Sequence, residues 1–103
     1  MVKLLQDNRE ALEELCRRFH VKRLEVFGSA SRGEDFRAGQ SDVDFLVEFL
    51  PLQMGQSCDT YFGLSEAMEA LLGREVDLVM TTAVRNRFFL MRIEPEREVV
   101  YAA

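Results

Sequence analysis

Cysteine and proline occur twice each and histidine once in this 103-residue chain, and each scarcity excludes something. Two cysteines, Cys16 and Cys58, are too few and too unlike in setting for a disulfide framework or a zinc site. Cys16 falls on the apolar side of a predicted helix and belongs to a core, whereas Cys58 falls in a polar loop. Free thiols of this kind fit a reducing cytoplasm. The lone histidine, His20, has no Cys, Ser or second His beside it, so it reads as the end of a helix, where a cation is favourable. No apolar run approaches a membrane span, and Lys3, Asp7, Arg9 and Glu10 break up any leader pattern. The net charge is −5 and no basic stripe offsets it. The longest basic cluster, Arg85-Asn86-Arg87 with Arg92, reads as a solvated helix face. Strong binding of nucleic acid by phosphate neutralisation is therefore not expected, nor is association with a membrane. Repeats and low-complexity segments are absent.

What is present is an ordinary globular balance, 48% apolar and 30% charged, in a chain long enough for one domain spanning residues 1–103. That is small for an enzyme that must enclose a substrate alone. From Val2 to His20, Leu5, Leu12, Leu15, Cys16 and Phe19 recur at helical spacing, predicting an amphipathic helix laid on a sheet. A strand follows over Lys22 to Phe27, then a spacer from Ala30 to Ser41 in which Gly39 suits a turn. Asp42 to Phe49 alternates as a second strand until Pro51 ends regular structure. Leu52 to Thr60 reads as a loop. Helical spacing returns from Thr60 or Tyr61 to Leu72 through Leu64, Ala67, Met68 and Leu71, a packing stripe closed by Gly73. Glu75 to Met80 is a third strand, with Val76, Leu78 and Met80 on one face and Asp77 and Val79 on the other. Ala83 to Ile93 reads as a helix turning Val84, Phe88, Met91 and Leu90 inward, stopped by Pro95. Val99-Val100-Tyr101 suits a last strand.

The residues that carry chemistry cluster at Gly28-Ser29, Arg32-Gly33 and Asp42-Val43-Asp44. Side chains two apart on a strand point the same way, so Asp42 and Asp44 project together. Two adjacent carboxylates repel unless a cation lies between them, and all-oxygen ligation suits Mg²⁺ or Mn²⁺. The bend at Gly28-Ser29 offers backbone N–H groups and a hydroxyl to an anion. It lies beside the acids if the first two strands run antiparallel. Arg32 suits a phosphate oxygen, and equally an ion pair with Glu34 or Asp35. Asp77 is either an edge-strand acid facing water or a third ligand, and the pair at 42 and 44 favours the ligand. Glu75, of the same parity, is the second choice.

The text Val26-Phe27-Gly28-Ser29, Arg32-Gly33 and Ser41-Asp42-Val43-Asp44-Phe45-Leu46-Val47 resembles the polymerase-beta-type nucleotidyltransferases. Within them it is most similar to the minimal nucleotidyltransferases, which include antitoxins paired with HEPN-domain toxins. The resemblance extends to Leu71-Leu72-Gly73-Arg74-Glu75-Val76-Asp77-Leu78-Val79, where the family carries its third carboxylate. In two respects the chain departs from the pattern: its spacer is somewhat longer, and Ala30 stands where many members have Arg. The resemblance implies an α+β fold, a small mixed β-sheet flanked by helices like a polymerase-beta palm. It implies Mg²⁺, with Mn²⁺ the alternative, held by Asp42, Asp44 and Asp77, and ATP as substrate with its phosphates on Gly28, Ser29 and Arg32. AMP would then pass to a hydroxyl, tyrosine foremost, of a HEPN ribonuclease toxin, and a homo-oligomer is compatible with this. Other readings are a nucleotide-binding antitoxin that neutralises its partner by contact, and transfer to a small molecule or an RNA end.

Overall fold

The computed structural model describes residues 3–28, 43–51, 56–81, 88, 91, 93 and 97–103, the side chains of 56–58 excepted. The amino-terminal amphipathic run forms two helices rather than one, α1 (Lys3–Asp7) and α2 (Arg9–Arg18). The break is at Asn8, whose side-chain amide turns back to donate to the Leu4 carbonyl at 2.8 Å. Such local bonds offer the backbone an alternative to the helix. The apolar stripe survives the break: Leu5, Leu12 and Cys16 are buried, and Leu15 and Phe19 pack against them. Past the end of α2, His20 takes the left-handed conformation at φ 60°, and its carbonyl accepts from the Leu50 N–H at 2.8 Å. The histidine thus marks a helix end, as expected.

Four strands follow: β1 (Val21–Phe27), β2 (Val43–Phe49), β3 (Val76–Met80) and β4 (Glu98–Ala102). They form one sheet in the order β3-β2-β1-β4. β1 lies antiparallel to both β2 and β4, whereas β2 and β3 are parallel. A parallel pair requires a crossover, here made by α3 (Gln56–Leu72). The α+β fold with a mixed sheet expected from the sequence is therefore the fold observed.

Alternation along the strands sends Leu24, Val26, Val43, Phe45, Val47 and Leu78 to the helical side, where they meet Leu12, Cys16, Leu64 and Met68 in the main core. The opposite face carries a smaller apolar cluster of Phe27, Leu46 and Ile93, with Val79 against it.

Two further expectations need correction. α3 begins at Gln56, so Cys58 lies in a helix rather than in the loop expected over Leu52 to Thr60. Polar residues such as Gln56, Ser57 and Asp59 suit a first helical turn as well as a loop, and an acid there complements the helix dipole. Phe88 and Met91, expected inward, are helical but 81% and 69% exposed, while Ile93 is buried. The apolar cluster across from the main core accepts Ile93, and residues two and five positions earlier on a helix face elsewhere. Val84 and Leu90 lie outside the described residues. Among those described, no helix is long and apolar enough to cross a membrane.

Candidate functional site

Asp44 is the second residue of β2 and Asp77 the second of β3, and the parallel register makes them direct partners, Asp44 against Asp77. Paired residues of neighbouring strands project to the same face about 4.8 Å apart, so the two carboxylates stand side by side. The pairing is anchored at its start. The Val43 N–H donates to the Glu75 carbonyl at 3.1 Å, and the Val76 N–H donates to Glu69 Oε2 at 3.3 Å. Farther along β3 the Tyr61 hydroxyl of α3 donates to the Leu78 carbonyl. α3 thus holds the short strand that carries Asp77 at its first residue and again at its middle.

On the other side of Asp44 the antiparallel register pairs it with Phe27, the last residue of β1. Gly28 follows at φ 73°, a left-handed conformation that L side chains rarely adopt. A Cβ on Gly28 would lie 2.8 Å from Asp44 Oδ2. The bend after β1 therefore presses the Gly28 backbone against the Asp44 carboxylate, as the antiparallel pairing of β1 and β2 requires.

Asp77 is exposed and lies on an edge strand, so hydration alone suffices for its charge. Its nearness to Asp44, rather than burial, is what distinguishes it. Ser29, Arg32 and Asp42 lie outside the described residues. Among those described, no three acids, histidines or cysteines gather as a metal site; Asp44 and Asp77 supply two oxygen donors on one face. Glu75 is exposed, and its carbonyl, not its side chain, is engaged in the register.

One charged group on this face escaped the sequence reading. Glu25, between Leu24 and Val26 on β1, is only 4% exposed. It pairs with Leu46 and so shares the face of Phe27 and Asp44. Its carboxylate accepts from Arg97 Nε at 2.7 Å and Nη2 at 2.9 Å, and from Arg23 Nε at 2.8 Å. The bonds from Arg97 foremost, with those from Arg23, hold its carboxyl below the usual range against the upward push of burial. The signal was an acid flanked by apolar residues in a strand, which requires a partner. Cys16 behaves as expected of a core thiol: burial, then Glu13, pushes it up to about 12, so it stays protonated and inert.

Comparison with known proteins adds to this geometry. The family model described as "Nucleotidyltransferase domain" matches residues 8–100. "Protein adenylyltransferase MntA" of Thermococcus cleftensis is 42% identical over 89 residues, covering 86% of this chain and 82% of that protein. A solved structure described as a minimal nucleotidyltransferase superposes with a TM-score of 0.74 at 33% identity, covering 94% of this chain and 95% of the other. A tri-AMPylated Shewanella oneidensis HEPN toxin in complex with MNT antitoxin provides a further match, with a TM-score of 0.65 at 17% identity over 95% of this chain and 72% of that one. At that identity the likeness concerns the fold.

Proposed function

The chain belongs to the nucleotidyltransferase domain family, and we propose that it is an antitoxin that transfers AMP from ATP to a tyrosine hydroxyl of a HEPN-type ribonuclease toxin. The observation that carries this reading is the register of Asp44 against Asp77 with the Gly28 backbone packed on Asp44. It sets two acids beside a bend able to hold an anion. The name of the Thermococcus relative supports protein adenylylation, and the Shewanella complex supports a HEPN partner.

In this reading Asp42, Asp44 and Asp77 are the ligands for Mg²⁺ or Mn²⁺. The donor set fits, because hard divalent cations take carboxylate oxygens and adjacent acids are favourable only around a cation. Such an ion, when bound, neutralises charge on the phosphates. The chain's own groups do the rest. The backbone at Gly28, the Ser29 hydroxyl and Arg32 hold the terminal phosphates so that attack on the α-phosphorus is in line. The tyrosyl oxygen forms a bond to that phosphorus as the bond to pyrophosphate breaks, and Asp77 accepts the hydroxyl proton. Transfer is direct, with no covalent enzyme intermediate. A buried free thiol at Cys16 accords with a cytoplasmic setting.

The exposed Phe88 and Met91 favour a second reading, neutralisation by contact, since exposed apolar side chains suit a protein partner. Incubation with the HEPN partner, Mg²⁺ and ATP labelled at either the α or the γ phosphate separates the two. Transfer predicts label on the partner from α-labelled ATP alone, lost in the Asp42→Ala/Asp44→Ala double variant. A partner that is bound and silenced yet unlabelled contradicts transfer.

A further inference from the structure

Among the described residues Glu25 is the only buried charged side chain, and the mechanism above does not use it. Its carboxylate takes bonds from two guanidinium groups, those of Arg97 and Arg23. Burying such a group costs desolvation that its bonds only offset, and apolar replacements often serve stability as well. Its use must be sought in what it places.

What Glu25 places is Arg97. Arg97 immediately precedes Glu98, the ladder partner of Val26, and so stands beside Phe27, the partner of Asp44. Its bonds to Glu25 hold its guanidinium on the face that carries Phe27 and Leu46. A row therefore crosses one face of the sheet: Asp77, Asp44, Phe27, then Arg97. At about 4.8 Å per strand the α-carbon of Arg97 lies roughly 10 Å from that of Asp44. Gly28 leaves the sheet between them. Acids stand at one end of the row, a held cation at the other, and the bend in the middle. The Arg97 side chain is one-quarter exposed.

We propose that Arg97 binds the terminal phosphates of the nucleotide, the part that departs as pyrophosphate, and that Glu25 is the residue that positions it. This rests on the nucleotidyl-transfer reading and adds a cation on the side of the bend away from the acids. A planar guanidinium held in place by a carboxylate is suited to phosphate contact. Holding it in advance spares the ordering of a long side chain when nucleotide binds.

Isothermal titration of the chain with ATP and with AMP, in Mg²⁺, tests the assignment through the ratio of the two dissociation constants. Arg97→Gln should weaken ATP about tenfold while leaving AMP within about twofold, the loss of a charge-assisted bond made only to the outer phosphates. Arg97→Lys, which keeps the charge and loses the fork, should raise the ratio about threefold, and so should Glu25→Gln, which loosens the arginine. Loss of packing alone would weaken both nucleotides together. Arg97→Lys remains informative should either other variant fail to fold. A wild-type chain that binds ATP with a ratio unchanged by Arg97→Lys or Arg97→Gln overturns this inference and leaves the transfer reading intact. A wild-type chain that binds neither nucleotide overturns both.

Discussion

A methyl group at position 28 would meet two obstacles at once. The residue sits at φ 73°, and the new carbon would lie 2.8 Å from Asp44 Oδ2. The left-handed backbone costs an L residue about 1–2 kcal/mol, which a small domain can survive. Displacement of the Asp44 carboxylate is more serious for function, since a misplacement of ~1 Å can cost about a hundredfold in rate. Gly28→Ala should therefore fold with a modestly lowered urea midpoint and transfer AMP about a hundredfold more slowly. Transfer at the wild-type rate would show that Asp44 does not need its observed position. Glu25 gives a prediction in pH. Its folded-state pKa is depressed below 4.5, mainly by Arg97, so its contribution is present above 4.5 and is lost as pH falls through the lower folded value. Urea midpoints of wild type and Glu25→Gln should differ at neutral pH and converge as the pH falls through the depressed folded-state value. A gap that stays constant would mean that the carboxylate charge contributes nothing.

At the scale of elements, the crossing of α2 and α3 depends on Gly63, where a Cβ would lie 2.8 Å from Phe19 Cε1 and two more ring carbons would follow within 3.6 Å. Alanine gains up to about 1 kcal/mol of helix propensity over glycine, but overpacking typically costs about 1–3 kcal/mol. The ring packs against the core, so we expect a net loss of about 1 kcal/mol for Gly63→Ala, recovered when Phe19→Leu is added. Independent, additive effects would deny the contact. The helical residues after β3 offer a second comparison. Ile93→Ala should cost about 2–4 kcal/mol, as buried truncations do, whereas Phe88→Ser and Met91→Ser should each stay within about 0.5 kcal/mol of wild type. Thermal or urea unfolding of the three variants decides it, and a large loss at Phe88 would contradict the exposed placement. Phe88 and Met91 read as inward because with Val84 they make a plausible apolar stripe by themselves. The choice of Ile93 instead depends on Phe27, Leu46 and Val79, residues far away in the chain. Asn8 was hidden for the opposite reason: its bond to Leu4 interrupts the helix without disturbing the periodic burial of Leu5, Leu12 and Cys16.

For the molecule as a whole, the parities legible in the sequence mattered more than the element boundaries. Alternation along β2 and β3 already assigned Asp44 and Asp77 to a face apart from Phe45 and Leu78. It could not say whether the two strands are neighbours or in what register. That came from the parallel pairing, set by α3 through Glu69 and Tyr61, and no local pattern encodes it. Glu25 and Arg97 show the same limit, since their meeting depends on β4 returning beside β1 across 72 residues. The account as a whole stands on Asp44 and Asp77 sharing one divalent cation. Its most direct test is Mn²⁺ binding, followed by electron paramagnetic resonance, in wild type, Asp44→Asn, Asp77→Asn and the double variant. The account predicts that either single change weakens Mn²⁺ at least about tenfold and that the double variant loses less than the two losses combined, because the acids act on the same ion. An Asp77→Asn chain that binds Mn²⁺ as tightly as wild type would contradict it.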